Sequence, residues 1–82
     1  MHPNAGAQSN PIKAIIVQIN YDGEEYTSKE ISSYQETVSR ISTILAGLND
    51  TFAFNDTNGN DILIPCEILR KSIIKIRHIK NK

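Results

Sequence analysis

The chain has 82 residues, nine Lys and Arg balanced by nine Asp and Glu, and one cysteine. That length supports a single domain. The lone cysteine excludes an intrachain disulfide, and Cys66 with only His2 and His78 falls short of the four ligands of a structural zinc site. No run approaches the roughly 18 consecutive apolar residues that span a bilayer. The N-terminus has neither the basic stretch nor the apolar run of a signal peptide, so a cytoplasmic protein is expected, with no membrane association. With no covalent or metal staple, a core this small is expected to be helped by self-association, and a homo-oligomer is anticipated.

The neutral total hides a polarised chain. Residues 22–36 carry five acids (Asp22, Glu24, Glu25, Glu30, Glu36) and one base (Lys29). Residues 66–82 carry six bases (Arg70, Lys71, Lys75, Arg77, Lys80, Lys82) and one acid (Glu67). One end is therefore acidic and the other basic.

In chain order, residues 1–11 have no large apolar side chain after Met1. They read as a mobile arm, because nothing in them offsets the entropy of ordering. Residues 12–21 (IKAIIVQINY) are rich in β-branched side chains and predict a strand. Ile15, Val17, Ile19 and Tyr21 fall on one face, and Ala14, Ile16, Gln18 and Asn20 on the other. The Asp22-Gly23 pair predicts a tight turn into a short returning strand over residues 24–27.

Residues 27–30 (TSKE) have the form of a capping box, with Thr27 and Glu30 each satisfying a free backbone donor. From there Ile31, Tyr34, Val38, Ile41, Leu45 and Leu48 recur in steps of three and four, with Ile44 widening the stripe. This predicts an amphipathic helix, closed by Gly47 in a left-handed cap.

Residues 51–56 and 60–64 predict a hairpin around Asp56-Thr57-Asn58-Gly59. A type I turn followed by a glycine bulge sets Phe54 opposite Ile62 and Phe52 opposite Ile64, all facing the core. A two-residue Asn58-Gly59 turn would instead oppose Asp56 and Asp61, an unfavourable like-charge pair. Pro65 suits the opening of one helical turn through Leu69. Residues 72–79 predict a last strand, with Ile74, Ile76 and His78 on one face and Ile73, Lys75, Arg77 and Ile79 on the other. Residues 80–82 are left as a basic tail. The expected fold is α+β, a small mixed sheet packed on one amphipathic helix in the order ββαβββ. That is the element order of the β-grasp folds, a likeness of topology with no residue motif behind it.

Few residues suggest chemistry. The oxygen-rich stretch from Asp56 to Asp61 lacks calcium-loop spacing, because the positions that need an acid and a Glu hold Phe54 and Pro65. Cys66 and His78 have no third group to orient them as nucleophile and base. The four glycines, Gly6, Gly23, Gly47 and Gly59, are scattered and form no phosphate loop. No cofactor is implied, and catalysis is not expected.

What remains is a mixed face. One helix covers one face of a sheet, so Ile16, Ile73 and their neighbours on the other face need another cover. Lys75 and Arg77 share that face, and Arg70 and Lys71 precede it. These six, Ile16, Arg70, Lys71, Ile73, Lys75 and Arg77, are the candidate binding residues. They suit a protein partner or a small anionic, nucleotide-like ligand. The alternative is nucleic acid held by the basic C-terminal strand and tail, although those bases lack interleaved aromatics and the chain adds no net attraction. The size, the Ile-, Asn- and Lys-rich composition and the missing catalytic motif fit an accessory protein of a phage or mobile element that inhibits or sequesters a host component.

Overall fold

A computed structural model describes residues 12–80; the N-terminal arm and the end of the basic tail lie outside the described residues. The elements are β1 (Ile12–Tyr21), β2 (Glu24–Thr27), α1 (Tyr34–Leu45), β3 (Phe52–Asn55), β4 (Asp61–Ile64), α2 (Cys66–Arg70) and β5 (Ile73–Lys80). This is an α+β fold with one main helix. The strands form two ladders, a three-stranded sheet in the order β2-β1-β5 and the hairpin β3-β4. All three pairings are antiparallel. The first and last strands are neighbours and run in opposite directions, with β5 at the edge of the sheet.

Pairing follows the alternation of side chains. Val17 lies opposite Ile76 and Ile19 opposite both Ile74 and Tyr26, so these side chains share one face. Ile15, Val17 and Ile19 are fully buried there and join Ile41, Ile44, Phe52, Phe54, Ile64, Cys66 and Leu69 in the core. The core thus lies between one face of the sheet and a lid made of α1, α2 and the hairpin.

The hairpin adopts the longer of the two loops considered. Phe52 pairs with Ile64 and Phe54 with Ile62, and the Gly59 amide donates to the Asp56 carbonyl at 3.2 Å. Gly59 has φ +84°, the positive value that the bulge requires.

Helix α1 departs from expectation at both ends. The capping box at Thr27 does not form: Thr27 is in β2, and the helix begins seven residues later at Tyr34, with Ser33 at the N-cap making no side-chain bond to the first turn. The reason is competition for the same backbone groups. The Ser28 amide donates to Val17, the Lys29 amide to Asn55 and the Ile31 amide to Ile15, so this segment continues as irregular strand beside β1. Ile31 pairs with Ile15 and Ser28 with Asp56 as isolated bridges. At the other end Leu45 and Leu48 are each 45% exposed, while Ile44 is fully buried. The buried stripe runs Tyr34–Val38–Ile41–Ile44, so Ile44 rather than Leu45 is its last member.

The chain leaves α1 through a Schellman turn. Gly47 donates to Ile44 and Leu48 to Thr43, with φ +131° at Gly47. This turn carries Leu48 away from the sheet.

Candidate functional site

The outer face of the β2-β1-β5 sheet is built by the register itself. Ile73 sits beside Asn20, Lys75 beside Gln18 and Arg77 beside Ile16, while Gln18 also faces Thr27 of β2. Every one of these residues has the parity opposite to the core-facing set. Among the described residues, the core cluster lies on the opposite face, and Ala14, opposite Ile79, is buried on this one. Lys75, Arg77 and Thr27 are exposed, Ile16 and Gln18 are partly buried, and Ile73 is 67% exposed, more than the other large apolar side chains left in solvent. Ile16, Gln18, Thr27, Lys75 and Arg77 rim a shallow depression of about 360 Å³ whose floor includes Ile76.

The six candidate residues do not form one cluster. Ile16, Lys75 and Arg77 meet around the depression, and Ile73 lies one pleat from Lys75 on the same face. Arg70 is occupied elsewhere. Its Nε donates to the Ile44 carbonyl and one Nη to the Leu48 carbonyl, both at 3.0 Å, and that Nη also reaches Asn49 Oδ1 at 3.5 Å. Ile44 is in the last turn of α1 and Leu48 and Asn49 in the turn that follows it, at the partially negative end of the helix. Arg70 therefore ties α2 to the end of α1. Lys71 is exposed at the C-cap of α2, off the rim of the depression. Gln18 and Thr27 are site-lining residues that the sequence reading passed over. The parity of β1 marks Gln18, and Thr27, expected in the returning strand and also in a capping box, stands in the strand.

The other candidates have structural partners. Cys66 is buried in α2, its Sγ 3.8 Å from Asn49 Oδ1. His78 is on the exposed end of β5, opposite Ile15. In the Asp56–Asp61 turn, Asp56 Oδ1 accepts the Asn58 and Asn60 amides at 2.9 Å and Oδ2 accepts the Asn60 side chain at 3.1 Å. These bonds, led by the Asn60 amide, hold the Asp56 carboxyl below its ordinary value of 3.8. The carboxylate caps its own turn. Among the described residues, no three His, Cys, Asp or Glu side chains are grouped as metal ligands would be, and no helix is long and apolar enough to cross a membrane.

No family model, curated protein or solved structure matches the chain.

Proposed function

We propose that this chain is a non-catalytic binding protein whose working surface is the outer face of β1 and β5, with Ile16, Ile73, Lys75 and Arg77 as its contact residues. The supporting observation is the placement of Ile73, which is 67% exposed on the same face as Lys75 and Arg77, opposite the core cluster. An apolar side chain followed along the same face by two bases gives a partner both buried area and a charge to meet. On this reading its action is stoichiometric: it occupies or sequesters what it binds.

Ile73→Asp, and Lys75→Glu combined with Arg77→Glu, test this. The core-facing residues of β5 are Ile74 and Ile76, so these changes are expected to leave the fold intact and to abolish association. Native mass spectrometry of the purified protein, with and without the substitutions, reads oligomeric state and retained ligand together. Unchanged association in every variant overturns the proposal. A face that works mainly through apolar contact responds most to Ile73→Asp, whereas an anionic ligand responds most to the charge reversals and to added salt.

A further inference from the structure

β5 is an edge strand. Among the described residues it pairs with β1 alone, so the N–H and C=O groups along its other side are open to a further strand. Its eight residues contain no Pro and no Gly, and the register shift in this sheet falls in β1, between Ile12 and Ala14. The edge is long and regular.

Its side chains decide what can pair there. A second copy meeting β5 about a twofold axis normal to the sheet keeps the outer faces on one side. With the axis at Ile76, Lys75 stands opposite Arg77 twice. With the axis at Lys75 or at Arg77, that base stands opposite its own copy. Like charges directly opposed across a strand pair are destabilising, so the registers centred on the strand disfavour self-pairing. The same two bases favour an incoming strand with acids at alternate positions.

From this edge and its charges we infer that β5 takes an acidic extended peptide from a partner protein as an additional strand. The peptide's backbone completes the ladder, and its carboxylates on the outer face meet Lys75 and Arg77. The residues between those acids fall on the other face, in line with Ile74 and Ile76. The inference rests on the outer-face reading and adds to it the edge, the backbone and the sign of the partner.

The test titrates the full-length protein with a capped peptide of about nine residues alternating valine with glutamate. Comparison peptides replace glutamate by lysine, or carry backbone N-methyl groups at every second residue, in each of the two phases. The expected result is binding of the acidic peptide, protection of β5 amides from hydrogen exchange, and loss of at least about tenfold in affinity for one N-methylated phase and for the lysine peptide. Lys75→Glu with Arg77→Glu should reverse the preference toward the lysine peptide. Equal binding of both N-methylated phases overturns strand addition while leaving the outer face as the working surface. Failure of the acidic peptide to bind overturns the inference, and tighter binding of a thymidine oligonucleotide than of the peptide assigns the bases to nucleic acid instead.

Discussion

The Ser28 hydroxyl accepts the Val17 amide proton at 2.9 Å, in the position where a strand neighbour's carbonyl would otherwise stand. The Ser28 amide returns a bond to the Val17 carbonyl, also at 2.9 Å, and its hydroxyl donates to the Lys29 carbonyl at 2.8 Å. Ser28 is 1% exposed. One residue later the Lys29 amide donates to Asn55. Ser28 is thus the point at which the segment beside β1 also meets the hairpin, and its side chain keeps β1 satisfied where the regular ladder is interrupted. Ser28→Ala strands the Val17 amide inside the protein. Loss of about 1–3 kcal/mol is expected, because a buried donor loses its partner. Urea denaturation checks this, and a midpoint within error of the wild type would mean that the hydroxyl bond is dispensable.

Arg70→Met keeps the aliphatic stem and removes the bonds to Ile44, Leu48 and Asn49. Because Arg70 is largely exposed, a loss of about 1 kcal/mol is expected, with association through the outer face unchanged. Lys in its place recovers little, because a single ammonium does not reproduce the planar fork that reaches two carbonyls. A variant of full stability that no longer binds would return Arg70 to the site.

Gly59→Val is expected to cost about 1–3 kcal/mol through the backbone alone. A Cβ at Gly59 meets nothing within 4 Å, so the penalty is that of a β-branched residue held at φ +84°. Thermal melts of the variant beside Gly59→Asn separate conformation from bulk, since Asn tolerates positive φ. Equal loss in both variants would contradict that assignment.

The folded-state pKa of Asp56 is depressed, so its contribution to stability is present above the unfolded-state value and fades as pH falls through the lower folded-state value. The hairpin should therefore loosen in acid, below the ordinary carboxylate range. Asp56→Asn should flatten that part of the stability–pH curve. Urea midpoints between neutral and strongly acidic pH measure the difference, and parallel curves for the two proteins would remove Asp56 as the cause.

The legible parts of this fold were those where local chemistry and burial agreed. Alternation in β1 and β5 marked the core face correctly, and the cost of opposing Asp56 to Asp61 selected the hairpin register that forms. The start of α1 was not legible, because Thr27 and Glu30 satisfy a capping pattern while Ser28, Lys29 and Ile31 are claimed by strands distant in sequence. Tertiary hydrogen bonds outweighed a local signal of about 1 kcal/mol. The partners of Arg70 were not legible for a related reason. Its charge is visible in the sequence, but the helix terminus it serves lies 22 to 26 residues earlier in the chain. Ile73, Lys75 and Arg77 needed only parity to be grouped, and the register groups them.

The placement of β5 also bears on how the chain assembles. β1 and β2 are joined by two residues and β3 and β4 by a short turn, so both hairpins can form from local sequence. The β1–β5 ladder closes across about fifty intervening residues and is the long-range step. While the chain emerges from a ribosome, β1 must keep one side unpaired until β5 appears, with Val17 and Ile19 still lacking Ile76 and Ile74. That interval is the chain's exposure to mispairing. The strand that closes it also carries the charged surface, so an outer face with Lys75 and Arg77 in register exists only once the longest loop has closed.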